Sequence, residues 1–364
     1  MSPRRDVSVR LGKRTYSVHV GRGALAEVGS LVDHWAGGLG RVGTVVLVTN
    51  STVAKLYGET VNDSLQRAGA TRLVSVQLPD GEQYKTLASL ERIYDAALDG
   101  GVDRSSLIVA LGGGVVGDLS GFAAATLLRG IRLVMIPTTL LAQVDSSVGG
   151  KTGVNRPQGK NLVGAFHQPS LVIADPDTLG SLPDREYRAG LAEVVKYGVI
   201  LDRDLFDTLE THAVEVGARD AGILTDVVAR CVELKAFVVE RDETETSLRR
   251  ILNFGHTVGH AIEQATAYER FLHGEAVAMG MIAAARISVR TGACSADVVA
   301  RLERLLSAFG LPTEIPGDID RKRLERAVAL DKKAQRDTVA FIVCTAIGAC
   351  REQALAPADI VAQL

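Results

Sequence analysis

Short runs of β-branched and aliphatic residues punctuate the first half of the chain, at 44–49, 73–78, 107–111, 131–136 and 171–174. Each is too short for a buried helix, and the stretches between them carry helical periodicity. That rhythm predicts a mostly parallel sheet with helices against its faces. Past Leu182-Pro183 the pattern changes. Apolar positions recur at helical spacing over 186–201, 221–240, 255–267 and 274–291, and only 339–343 reads as a strand. The spacing therefore predicts a Rossmann-like α/β domain over 1–181 and an all-α domain over 182–364. No internal repeat or Pro/Ser-rich linker interrupts the chain.

Composition narrows the class without choosing a function. The chain has 364 residues, 46% hydrophobic and 4% aromatic, with a formal net charge of −2. No global basic field is present to hold nucleic acid or a membrane surface. The four cysteines form no CxxC pair and lie in apolar contexts, as reduced core thiols do. The N-terminal residues run into an alternating strand pattern, and no stretch reaches the roughly eighteen apolar residues of a membrane span. The expectation is a cytoplasmic protein.

Chemistry enters at the strand ends. Gly112, Gly114 and Gly117 fit GxGxxG between a buried strand and a small-residue helix, the arrangement that lets backbone amides approach a pyrophosphate. Asp80-Gly81-Glu82-Gln83-Tyr84-Lys85 ends a second strand and Thr138-Thr139 a third, where parallel sheets bind ligands. Residues 143–161 then form a glycine-rich connection carrying Asp145, Lys151, Lys160 and Asn161. Its Gly-Gly-Lys-Thr lacks the first glycine of a P-loop, so a P-loop NTPase is rejected. Either these lysines are solvated or they serve a phosphorylated substrate.

The second half carries the metal signal. Three of the seven histidines, His256, His260 and His273, fall within eighteen residues. His256 and His260 are four apart and share a helix face, so spacing alone makes them candidate co-ligands. Arg249 and Asn253 stand just upstream. Helix 186–201 is apolar on nearly every face yet carries Glu193 and Lys196 one turn apart. Buried charges are costly unless paired or metal-bound, so these two are a structural ion pair or site residues. Lys235 poses the same question more weakly.

These segments resemble a known family. Residues 112–118, 136–152, 159–161, 190–198, 252–263 and 273–278 are closely similar, in order, to the motifs of 3-dehydroquinate synthases, within the sugar-phosphate cyclases. The resemblance implies a Rossmann-like NAD domain followed by a helical metal domain. It implies zinc, replaceable by cobalt, on Glu193, His256 and His273, with His260 turned to substrate. Catalytic and substrate contacts are implied for Asp145, Lys151, Lys160, Asn161, Lys196, Lys235, Arg249, Asn253, His260, Lys332 and Lys333, with Arg129 reaching in from the second subunit of a homodimer. NAD contacts are implied for Asn50, Asp80 to Lys85, Gly114, Val115, Val116, Gly117, Asp118, Thr138, Thr139, Lys151, Lys160, Thr178, Leu179, Gly180 and Ser181. The implied reaction cyclises a heptulosonate phosphate by transient oxidation, loss of phosphate, re-reduction and aldol closure. An aminodehydroquinate-forming cyclase, a metal-dependent polyol dehydrogenase and a non-catalytic NAD-binding protein are the alternatives.

Overall fold

The computed structural model describes residues 4–329, 334–335 and 338–364. Lys332 and Lys333 lie outside the described residues. Two compact units are present, one of Met1–Leu182 with Leu224–Glu243, the other of Pro183–Ile223 with Thr244–Leu364.

The first unit is built on a seven-stranded sheet in the order β1-β2-β9-β6-β5-β3-β4. Its strands are β1 (Arg5–Val9), β2 (Tyr16–Val20), β3 (Thr44–Asn50), β4 (Arg72–Leu78), β5 (Leu107–Gly112), β6 (Arg132–Pro137) and β9 (Leu171–Ala174). Only the β1–β2 pair is antiparallel. Every residue of β5 is buried, as a strand covered on both faces requires. Helices α1 (Val28–Ala36), α2 (Glu59–Arg67), α3 (Leu87–Asp99) and α4 (Gly114–Thr126) alternate with these strands. Val32, Leu65, Leu107, Val109 and Ile136 belong to one of the apolar clusters this packing closes.

Two features of this unit differ from the sequence expectation. Residues 143–161 are not a loop throughout: they enter an antiparallel hairpin of β7 (Lys151–Arg156) and β8 (Gly159–Phe166). Glycine and lysine hid it, having low strand propensity, while the pairing is made by backbone. Gly164 is needed there, because a Cβ would stand 1.9 Å from the Thr152 carbonyl oxygen. The other difference concerns the helix read at 221–240, placed by its sequence position in the second domain. Its residues from Leu224 on belong to the first unit. Arg5 pairs with Asp226, Arg14 with Glu243, and the Arg10 amide donates to Glu240, so polar ties to the β1–β2 region hold it there.

The second unit is mostly helical: α5 (Asp184–Ile200), α6 (Arg203–Thr211), the start of α7 (Ala221–Arg241), α8 (His256–Ala265), α9 (His273–Arg290), α10 (Ala296–Ala308) and α11 (Arg321–Ala329). It also contains a three-stranded antiparallel sheet, β10 (Ala334–Gln335), β11 (Thr338–Ala346) and β12 (Ala349–Leu355), where the sequence pattern shows one strand. Only β11 is apolar enough to read as a strand, since β12 is largely solvent-facing. Glycines bring α8 and α9 together: a Cβ on Gly280 would lie 2.1 Å from the Gly255 carbonyl oxygen. Among the described residues, no helix is long and apolar enough to cross a membrane.

Candidate metal centre and nucleotide-binding strand ends

Glu193 sits in the buried middle of α5 with 1% of its surface exposed. Lys196, one turn on and equally buried, pairs with its Oε2. His256 opens α8 and His273 opens α9. The two imidazoles turn their Nε2 atoms to Glu193 Oε1, at 3.5 Å from His256 and 3.6 Å from His273. One ligand atom from each of the three residues lies within 4.8 Å of the others.

The donor set fits a divalent ion. Neither oxygen of Glu193 receives a well-directed hydrogen bond, although both are buried. Lys196 balances charge at Oε2, while Oε1, which both imidazoles face, is left for a further cation. Burial alone would raise its pKa, but Lys196 and then His273 bring it down to about 2, so it is ionised. Burial would likewise depress His273, yet Glu193 and Glu263 push it up to about 10. A metal ion would take the place of that Nε2 proton. His256 Nδ1 lies 3.1 Å from the Phe254 carbonyl oxygen. A carbonyl only accepts, so Nδ1 carries the hydrogen and leaves Nε2 as the ligand atom.

His260 is exposed and stands outside this trio, its ring centroid 5.4 Å from that of His256. Spacing alone makes His256 and His260 partners; the fold instead gives His256 the distant Glu193 and His273. Asn253 donates to Glu245 Oε1 at 2.7 Å, and Arg249 is buried on the same short 3₁₀ segment, Leu248–Asn253. Glu245 was not visible in the sequence, for nothing in its spacing marks it. Glu263, hydrogen-bonded to His273 at 3.1 Å, had a usable signal: it lies seven residues, two helical turns, after His256.

In the first unit the nucleotide candidates gather at the carboxyl ends of the strands. Gly113 caps α4 without any side-chain hydrogen bond, which leaves the first-turn amides of a 13-residue helix for a ligand. A Cβ at Gly113 would lie 2.9 Å from the Thr139 methyl, and one at Gly112 2.8 Å from Val116, so the turn requires glycine. A pocket here is lined by Gly112, Gly113, Gly117, Pro137, Ser146 and Ser147. The buried Thr138 hydroxyl has no hydrogen-bond partner among the described residues, as a group reserved for a ligand would not. Thr139 instead accepts from the Ala142 amide.

The remaining candidates are partly engaged. Asp80 accepts from Thr52, and Asn50 caps the next turn by accepting from Val53. Gly81, Glu82, Gln83 and Tyr84 form an exposed turn, while buried Lys85 pairs with Asp118 and donates to Asn161 Oδ1 at 2.5 Å. Burial pushes the Asp118 carboxyl above its usual range in spite of Lys85. Val115 and Val116 lie on α4. Thr178, Leu179, Gly180 and Ser181 fall on the 3₁₀ segment Pro176–Ser181, where Tyr57 donates to the Thr178 carbonyl and pairs with the Ser181 hydroxyl. Lys235 reaches Asp145 within the same unit, and Lys151 and Lys160 stand on the hairpin. Arg129 is exposed, has no side-chain partner among the described residues, and follows Leu128 in a left-handed turn, φ 50° and then 66°.

Comparison with known proteins decides the family. Models of the 3-dehydroquinate synthase N-terminal and C-terminal regions match residues 75–189 and 190–334. The chain belongs to the 3-dehydroquinate synthase family. A 3-dehydroquinate synthase of Geobacter metallireducens is 52% identical over 94% of this chain and 93% of its own length. One from Synechococcus is 49% identical over 94% and 93%. Among solved structures, 2-deoxy-scyllo-inosose synthase with carbaglucose-6-phosphate, NAD+ and Co2+ superposes with a TM-score of 0.87 at 27% identity, covering 99% of this chain and 98% of its own. The 2-epi-5-epi-valiolone synthase of Streptomyces hygroscopicus, with NAD+ and Zn2+, gives 0.85 at 29% identity, covering 100% and 97%. A Schizosaccharomyces pombe glycerol dehydrogenase shares the fold alone, with a TM-score of 0.64 at 18% identity and coverage of 100% and 90%.

Proposed function

We propose that the chain converts 3-deoxy-D-arabino-heptulosonate 7-phosphate to 3-dehydroquinate and phosphate, with NAD and a divalent metal, zinc or cobalt, as resident groups. The observation that carries this reading is the convergence of His256 and His273 Nε2 on the buried, ionised Glu193 in a member of this family. When bound, NAD supplies a transient oxidation that acidifies the neighbouring C–H, and the metal polarises the ring alcohol.

The chain's own groups bind, orient and balance charge. Glu193, His256 and His273 would hold the metal. The α4 amides, Thr138, Thr139 and the Asp80 to Lys85 turn would hold NAD, with Asn50, Asp118 and the Thr178 to Ser181 segment around it. Lys196, Lys235 and Asp145 grip the hydroxyls and carboxylate of the substrate. Lys151, Lys160, Asn161, Arg249, Asn253, His260 and the Lys332-Lys333 pair hold its phosphate, an anion that needs several cations to be desolvated. Much of the rate then comes from positioning.

The proposal includes a homodimer in which Arg129 completes the partner's site. Its support is the unpaired Arg129 on a strained turn, together with exposed Leu128, Leu162, Val163 and Phe166, apolar surface of the kind a second copy covers. A reducing cytoplasm suits four cysteines that are all free.

The deciding experiment measures phosphate release by the purified protein from the heptulosonate phosphate beside its amino analogue. Faster turnover of the heptulosonate phosphate is expected. Preference for the amino compound would assign the chain to the aminodehydroquinate-forming cyclases.

A further inference from the structure

The start of α9 is held by its backbone. Leu272 N–H donates to Glu275 Oε2 at 2.8 Å, and Arg185 clamps the same carboxylate with two bonds of 2.7 Å. Gly274 lies so close to α5 that a Cβ would come 1.8 Å from the Ala189 carbonyl oxygen. These ties fix the Cα of His273 and leave the direction of its ring open. The ring meets Glu193 through Nε2 and Glu263 through Nδ1, the latter at 3.1 Å. Glu263 is 3% exposed, buried on α8 two turns past His256. His256 Nδ1 faces a backbone carbonyl, that of Phe254.

We propose that Glu263 is a positioning residue of the metal centre: by accepting the Nδ1 hydrogen of His273, it fixes the tautomer and orientation that aim Nε2 at Glu193. The proposal rests on the metal reading above and adds to it a residue that touches neither metal nor substrate. A ligating imidazole needs its other nitrogen committed to a donor role, or the ring can flip and present the wrong atom.

Glu263 also groups with His260 and His273 as a set that could itself take a cation. Geometry favours the positioning role. Glu263 already has a hydrogen bond to Nδ1, whereas both Glu193 oxygens lack a directed one. A cation drawn to the Glu263 side would leave Glu193 Oε1, which both imidazoles face, without a directed partner.

The test compares Co2+ binding by wild type, Glu263→Gln, Glu263→Ala, His273→Ala and the Glu263→Ala/His273→Ala double variant, by competition against a chromophoric chelator and by the visible spectrum of the cobalt protein. Thermal unfolding of each metal-free protein checks that it folds. Loss of the carboxylate that holds His273 Nδ1 is expected to weaken binding about 10- to 100-fold in Glu263→Ala. Glu263→Gln, whose amide oxygen still accepts from Nδ1, should lose less, with one ion bound throughout. In the His273→Ala background, Glu263→Ala should have little further effect. Wild-type affinity in both Glu263 variants, an equal loss with and without His273, or two ions per chain with one lost in Glu263→Ala would overturn the proposal. If wild type bound no ion, or His256→Ala bound one as tightly as wild type, the metal reading itself would fall and take this inference with it.

Discussion

The ammonium of Lys235 donates to both the backbone carbonyl, at 2.5 Å, and the carboxylate, at 2.7 Å, of Asp145, ninety residues earlier in the chain. Lys235 is buried, and Asp145 is part-exposed at the turn before the β7–β8 hairpin. These two hydrogen bonds tie α7 to the short helical segment Ala142–Ser146, which follows Thr138-Thr139. Replacing Lys235 by Met should lower stability by about 1–3 kcal/mol, as loss of a charged hydrogen bond does. Phosphate release should fall much further, at least about tenfold in kcat/KM, if the pair also grips substrate. A loss of stability without loss of kcat/KM would restrict the pair to a structural role.

Removal of metal tests the Glu193, His256 and His273 centre. Chelation should abolish turnover, and zinc or cobalt should restore it. His273→Ala should lose bound metal and activity together. Undiminished metal content and full activity in that variant would reject the assignment.

Arg129 gives a test of the shared site. Subunits carrying Arg129→Ala and subunits inactivated by Lys196→Ala should each be poorly active alone. If Arg129 serves the partner, exchange of the two should regenerate some complete sites in mixed dimers. Fully exchanged mixtures with no recovery would count against it.

Cofactor stoichiometry separates the cyclase from a polyol dehydrogenase. In the proposed reaction oxidation and reduction fall in one cycle, so one equivalent of NAD per site should support many turnovers without accumulation of NADH. One NADH formed per phosphate released, or undiminished turnover after NAD is stripped, would contradict the proposed chemistry.

Close packing around the metal centre can be tested without touching a ligand. Gly274→Ala places a methyl group 1.8 Å from the Ala189 carbonyl oxygen and should destabilise by about 1–3 kcal/mol or more, with weaker metal binding as α9 shifts. Gly217→Ala, with nothing within 4 Å of its Cβ, is the control and should be neutral or slightly stabilising in thermal unfolding.

Whatever depends on local pattern could be read from the residues alone. All five apolar runs became parallel strands: four are almost wholly buried, as aliphatic runs covered on both faces of a sheet must be, and the fifth, β4, is a partly exposed edge strand. The glycine turn after β5 was legible for a similar reason, since close backbone approach tolerates no Cβ. Glu193 and Lys196 betrayed themselves as charges on an apolar helix. Contacts between residues far apart in the chain needed the folded molecule. Helical spacing pairs His256 with His260, but crossing α8 and α9 at their glycines makes His273 and Glu263 neighbours and brings both imidazoles to a carboxylate sixty-three residues before His256. Lys235 joins Asp145 across ninety residues of sequence, in a unit where Arg5 also pairs with Asp226 of α7 and Arg14 with Glu243 just past its end. The hairpin at 151–166 and the strand at 349–355 stayed hidden because backbone pairing, which no side-chain pattern announces, is what builds them.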